Sequence, residues 1–261
     1  MQTSVLYRLW NGNEDELKII EQYFNVYHNR SDINCHNIII PRYSALPFFK
    51  ELEYDVSKFG SRLINTQDQF NWIADFQYYQ VLKEYTFKTY FDPVELPTDK
   101  SFVVKGVTNS RKHQWNTHCF AKTKRDAIII GCELRNDGLI SNQQIIYREY
   151  EKLKQIDELV NGMPVSNEFR FFYYKNKLLE HAPYWVNCDK LDEFVMDDKG
   201  LKFAQKIADI VCQYNNFYTI DIAQKQNDEW VLVELNSGEM SGLCGCDPAN
   251  LYKNLSEEIS K

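Results

Sequence analysis

The sequence has no excess of positive charge. Its 30 Lys and Arg residues face 37 Asp and Glu, a formal net charge of −7. No basic surplus is available to neutralise a phosphate backbone, so a general nucleic-acid binder is not expected. No apolar run is long enough to cross a bilayer and no signal peptide is recognisable, so no membrane partner is expected. Internal repeats, low-complexity tracts and long linkers are absent as well. A disulfide framework is also missing, because the seven cysteines are odd in number and scattered. A reducing, cytoplasmic setting is therefore expected. Cys244-Gly-Cys246 has no second Cys or His pair at ligand spacing, so free thiols are favoured there over a zinc or redox site.

What is present is an ordinary globular balance, 44% hydrophobic and 26% charged, with a high aromatic share of 15%. Its 261 residues suffice for a sizeable core and for one large domain or two or three small ones. Strand and helix patterns alternate at first: a strand over Val5–Trp10, a helix capped by Asn13, strands over Asn37–Pro41 and Arg62–Asn65. A long helix is predicted from about Asp68 to Tyr85. This alternation implies a small α/β unit with a mainly parallel sheet. The segment from Pro93 to Pro97 marks a break, which places domains at 1–97 and 98–261. Beyond it come strand-like segments over Ser101–Lys105 and Gln143–Tyr150, and a hairpin opened by Glu168–Tyr174. A helix from about Asp198 to Tyr214 and a short helix from Pro248 complete an α+β pattern.

The most informative segment pairs Tyr218-Thr-Ile-Asp221-Ile-Ala-Gln with Trp230-Val-Leu-Val-Glu234-Leu-Asn236-Ser-Gly across the turn Gln226-Asn227-Asp228. Glu234 and Asn236 leave one face of their strand, and Asp221 can reach that face from the neighbouring strand. Three oxygen donors on apolar strands suit Mg²⁺, which takes its remaining ligands from water and nucleotide phosphates. Without a cation, buried acids would repel one another and be poorly solvated. The alternative is a wet hairpin face. The apolar run around Glu234 and the small-residue loop Ser237–Gly242 favour the metal reading.

Other charged groups stand on apolar strands. Lys105 follows Phe-Val-Val and precedes Gly106, where its ammonium suits phosphate oxygens, and Ser110 and Lys112 add a hydroxyl and a second ammonium. Arg148, Glu149 and Tyr150 end a strand whose backbone could read an adenine edge. Glu168 and Arg170 share a face, and Arg170 is placed to stabilise developing negative charge or to pair with an acid. Arg42, in Pro41-Arg42-Tyr43-Ser44, is a candidate for holding a substrate carboxylate.

The order Lys105, Arg148-Glu149-Tyr150, Glu168-x-Arg170, Asp221 and Glu234-x-Asn236 resembles the ATP-grasp superfamily, over roughly Ser101 to Leu243. The segments Glu168-Phe-Arg170-Phe-Phe and Glu234-Leu-Asn236-Ser-Gly resemble a compact branch found in phages and bacteria. The resemblance implies an α+β ATP-grasp fold, two subdomains sandwiching a nucleotide, preceded by a small α/β domain. It implies that Lys105 and Lys112 contact ATP phosphates, with Lys122 the other candidate for the second lysine. Ser110, Arg148, Glu149, Tyr150, Glu168 and Leu232 would line the nucleotide site. Asp221, Glu234 and Asn236 would hold Mg²⁺, and Lys105 and Arg170 would act on the transferring group. The usual glycine-rich loop is reduced here to Gly106. The implied activity is a carboxylate–amine ligase acting through an acylphosphate on an amino acid, peptide or protein tail. Two readings stay open beside it: a nucleotidyltransferase or RNA ligase in which Lys105 becomes adenylated, and a non-catalytic ATP-binding scaffold.

Overall fold

The computed structural model describes residues 2–9, 12–158 and 161–261. Its first unit is a parallel sheet in the order Asn25–Tyr27, Gln2–Tyr7, Asn37–Arg42, Arg62–Leu63. Parallel strands covered on both faces read as continuous apolar runs, and all six residues of Asn37–Arg42 are buried. The first strand ends at Tyr7, and Trp10, its expected end, lies outside the described residues. Asn13 precedes helix Glu14–Ile20, but its side chain donates back to the Arg8 carbonyl instead of capping the helix. The edge strand Asn25–Tyr27 has too few apolar positions to be read from sequence.

The helix expected from Asp68 to Tyr85 is two pieces, Gln67–Ala74 and Tyr79–Leu82. It starts on a capping box in which Thr66 and Gln69 satisfy each other's backbone N–H. It breaks at Phe76, which adopts φ 60°. The break buries the Phe76 and Tyr78 side chains almost completely in the main core. Burial of large aromatics outweighs the lost helical hydrogen bonds here.

Two antiparallel four-stranded sheets follow. One runs Thr89–Tyr90, Ile145–Glu149, Phe102–Gly106, Phe120–Ala121, with helix Lys124–Leu134 packed on it. Its first strand precedes Pro93, so the sheet draws on both sides of the expected boundary at residue 97. The other runs Lys177–Pro183, Glu168–Tyr174, Phe217–Gln224, Trp230–Ser237. Helix Asp198–Val211 covers one face of this second sheet, burying Ala204, Ile207 and Val211 against Phe171 and Ile220. The opposite face meets the parallel sheet and helix Pro248–Ile259 in a shared core containing Val5, Phe172 and Leu251. Among the described residues no helix is long and apolar enough to cross a membrane.

Candidate functional site

The sheet carrying Lys105 and the sheet carrying Glu234 come together at two cavities. The first, about 340 Å³, is bounded by Lys105, Lys112, Arg148, Glu168, Trp185 and Glu234 among others. The second, about 890 Å³, lies between the parallel unit and the loop after Lys105, with Arg170, Glu234 and Asn236 in its wall. Glu234 borders both, so the cavities meet at its carboxylate.

A β-bulge sets that geometry. Asp221 pairs with Glu234, but Ile222 pairs with Leu232, so Val233 is inserted without a partner. Leu232, expected at the nucleotide, is therefore turned into the main core, and Val233 lines the first cavity instead. Beyond the bulge Glu234 and Asn236 share a face, and the Asn236 amide donates to Glu234 Oε2 at 3.1 Å. The other carboxylate oxygen accepts from the Lys105 ammonium. Burial works to raise the Glu234 pKa, but the Lys105 charge and the hydrogen bonds from Lys105 and Asn236 outweigh it and hold it below the ordinary value.

Asp221 is almost fully buried and both its oxygens are taken by Arg170, at 2.8 Å from Nε and 2.7 Å from Nη2. Arg170 also donates to the Gly242 carbonyl at 2.8 Å. Burial opposes the guanidinium charge, yet Asp221 more than compensates and keeps Arg170 protonated. The expected trio of oxygens is thus divided. Glu234 and Asn236 stand side by side, a carboxylate and an amide oxygen of the kind Mg²⁺ accepts, whereas Asp221 is engaged by Arg170. Among the described residues no three His, Cys, Asp or Glu side chains converge as a metal cluster. A hard cation completed by water and phosphate fits this donor set, and a zinc-like cage does not.

In the first cavity's wall Arg148 is buried. It donates to the Val233 carbonyl at 2.6 Å and to Thr86 Oγ1 at 2.5 Å, while its Nε has no partner. The Glu149 carboxylate accepts from Tyr90 at 2.6 Å. The N–H groups of Glu149 and Tyr150 donate to the carbonyls of Lys88 and Ser101. These two donors, expected to read an adenine edge, serve the sheet instead, and the cavity wall continues through Glu151, Lys152 and Leu153. Glu168 accepts from Trp185 Nε1 at 3.1 Å and from Ser166 at 3.3 Å. Burial, with Asp221 nearby, pushes its carboxyl up to about 7.

Ser110 and Lys112 line the same cavity. Lys112 donates to the Tyr184 hydroxyl, with its ammonium 4.4 Å from the Tyr184 ring and 5.0 Å from that of Trp185. Lys122 is exposed and outside the wall. The loop after Lys105 is clasped by Gln143, whose Oε1 accepts from the N–H groups of Thr108 and Asn109 and from Thr108 Oγ1. A Cβ at Gly106 would lie 2.5 Å from that same oxygen, so a larger residue there would push the Gln143 side chain out of its clasp. Gln143, Tyr184 and Trp185 were not singled out from sequence. The one signal was an aromatic pair after Pro183 in an otherwise polar stretch.

Arg42 is not free for a substrate. It donates to Glu16 at 2.9 Å, to Tyr252 at 2.8 Å, and to the carbonyls of Gly238, Glu239 and Ser241. The loop it holds follows directly on Asn236.

A family model described as an ATP-grasp domain, the third family of its clade, matches residues 95–255. No curated protein matches. Among solved structures, D-cycloserine synthetase DcsG superposes with a TM-score of 0.64 at 12% identity, covering 99% of this chain and 100% of that one. An ATP-grasp RimK domain protein from Sphaerobacter thermophilus gives 0.62 at 11% identity, covering 100% of both chains. The ATP-grasp ligase PsnB, complexed with a minimal precursor, Mg and ADP, gives 0.59 at 9% identity, covering 99% and 98%. At such identities these are likenesses of fold.

Proposed function

Because the chain belongs to this clade of ATP-grasp domains, in its third family, we propose that it is an ATP- and Mg²⁺-dependent ligase joining a carboxylate to an amine. The single observation that carries the reading is the meeting of two cavities at Glu234, with cations on one side and a larger chamber on the other. The first would take ATP, its phosphates against Lys105, Ser110 and Lys112, with Arg148, Glu168 and the 149–153 segment around the nucleoside. The second would take the acceptors. The solved PsnB complex with Mg and ADP supports the same ligand class in this fold. We further propose that residues 1–97 act as a unit preceding the ATP-grasp region, contributing one wall of the acceptor chamber.

In this mechanism the substrate carboxylate oxygen attacks the γ-phosphorus. An O–P bond forms, the bond to ADP breaks, and an acylphosphate results. The amine nitrogen then attacks the acyl carbon, the C–N bond forms, phosphate leaves, and the nitrogen's proton goes to solvent. Mg²⁺ held by Glu234 and Asn236 would lower charge repulsion among the phosphate oxygens. Lys105 orients the transferring group, leaving Glu234 when phosphate replaces it as the nearest anion. Arg170, fixed by Asp221, presents its charge toward the Gly242 side of the chamber and stabilises the oxyanion of the tetrahedral intermediate. Closure of the two sheets keeps water from the acylphosphate.

The test is to incubate the protein with Mg²⁺-ATP and a pool of carboxylates and amines, reading nucleotides and intact protein mass. ADP, phosphate and a new amide with unmodified protein are expected. AMP, or a protein mass increased by one adenylate and lost in Lys105→Ala, would overturn the reading in favour of nucleotidyl transfer.

A further inference from the structure

The larger cavity has an uneven charge inventory. Among the described residues its only lining cation is Arg170, and that guanidinium is held by both oxygens of Asp221 and by the Gly242 carbonyl. With this one guanidinium already given to the reacting carbonyl, a substrate with a second anionic group would find no further positive partner in this wall. Oxygen acceptors, by contrast, line one side. Gln67, Asn71 and Asp75 all border the cavity, and their spacing of four residues puts them on one face of helix Gln67–Ala74 and its C-cap. Gln67 donates its amide to Asn71 Oδ1 at 2.6 Å, which leaves Gln67 Oε1 buried with no hydrogen-bond partner. A buried lone acceptor is costly unless a donor reaches it.

Asp75 borders the cavity on its solvent-exposed side and enters none of the ion pairs found among the described residues. It stands just past the last helical residue, where the helix dipole is negative and a cation is favoured. The same cavity also has an apolar part to its lining. Phe49 and Phe70 stack at 4.0 Å, and Ile73, Val107 and Met240 continue the surface. An apolar surface in the same cavity as acceptor oxygens and a carboxylate outside any ion pair suits a methylene chain carrying a protonated nitrogen.

We infer that the amine substrate is an alkyl diamine: one nitrogen reacts at the Glu234 end while the other, protonated, rests on Asp75, Asn71 and Gln67. The inference rests on the ligase reading for its chemistry, but the binding it requires needs no nucleotide. The experiment is calorimetric titration of the nucleotide-free protein with cadaverine, pentylamine and glutarate. Cadaverine is expected to bind best, about fivefold more weakly in Asp75→Asn, while pentylamine is unaffected by that change. Asn71→Asp, which adds an acceptor charge on the same face, is expected to tighten cadaverine and so tests the site in the opposite direction. Equal cadaverine affinity in wild type and Asp75→Asn, or a preference for glutarate, would overturn the inference. ADP formation is read separately. Its absence with every acceptor, cadaverine binding being intact, would sink the ligase reading and leave the diamine site standing. Turnover driven equally well by amines without a second cationic nitrogen would sink the diamine and leave the ligase.

Discussion

Lys105 and Glu234 come from different sheets and neutralise each other at the junction of the two cavities. Neither has water enough to stand alone, since both side chains are largely buried. Removing one partner strands the other charge, which costs far more than removing both. Lys105→Met and Glu234→Gln are therefore each expected to destabilise the fold, with the double variant recovering about 1–3 kcal/mol of the summed loss. Urea unfolding of the four proteins measures this. All three variants are expected to lose ADP formation by about two to three orders of magnitude or more. Near wild-type turnover in Glu234→Gln would refute the proposed role of Glu234.

Arg170 and Asp221 make the more deeply buried pair, with two parallel hydrogen bonds. Arg170→Ala leaves a carboxylate in the core and is expected to cost about 3–5 kcal/mol. Arg170→Lys keeps the charge but cannot form both bonds and still reach Gly242. Turnover is expected to fall in the lysine variant with ATP affinity little changed, because the side chain faces the acceptor chamber. A rise in the ATP dissociation constant matching the loss of turnover would instead put Arg170 on the nucleotide.

The hairpin was legible because period-two spacing in Glu234-x-Asn236 and an acid on the neighbouring strand are local facts. The insertion of Val233 was not, since a bulge depends on how the partner strand is held, and it turned Leu232 into the core. The strand ending in Glu149 was equally plain. Which of its N–H groups stay available depends on Lys88 and Ser101, which lie about fifty to sixty residues away, and no local pattern encodes that. The break at Phe76 has the same origin: helix periodicity continues through it, and only tertiary burial of Phe76 and Tyr78 ends the helix. The ATP-grasp resemblance supplied the order of the site residues. It did not supply the clasp by Gln143 or the aromatic bed of Lys112.

Arg42 couples the parallel unit to the loop after Asn236. Glu16 and Tyr252 keep it charged against the opposing effect of burial, while three loop carbonyls accept from its Nη1. Lysine has no fork to reach both sets. Arg42→Lys is expected to lower stability by about 2–4 kcal/mol and to raise KM for the acceptor more than KM for ATP, because Ser241 and Gly242 border only the acceptor chamber. Steady-state kinetics with each substrate varied in turn tests it. A purely structural role would lower the folded fraction and leave both KM values unchanged.

Glu239 gives the molecule a pH dependence of unusual sign. It is fully buried in that same loop. Asn65 donates to its Oε2 at 2.8 Å, and Oε1 has no partner. Burial pushes the carboxyl up to about 7, with the backbone, Ser237, Asn65 and Arg42 only partly opposing it. Glu168, on the nucleotide side, is raised to about the same value. In the unfolded chain both would titrate near 4.5. Between that value and about 7 the native state therefore binds more protons than the unfolded one, so stability falls as pH rises. The contribution is complete below pH 4.5 and gone above about 7. The shift for Glu239 corresponds to at most about 3 kcal/mol. Glu239→Gln, which cannot ionise, is expected to gain on wild type by up to this amount between pH 5 and pH 8 in urea unfolding. A constant difference between the two proteins across that range would mean that Glu239 is ionised throughout, stabilised by Arg42 despite its burial.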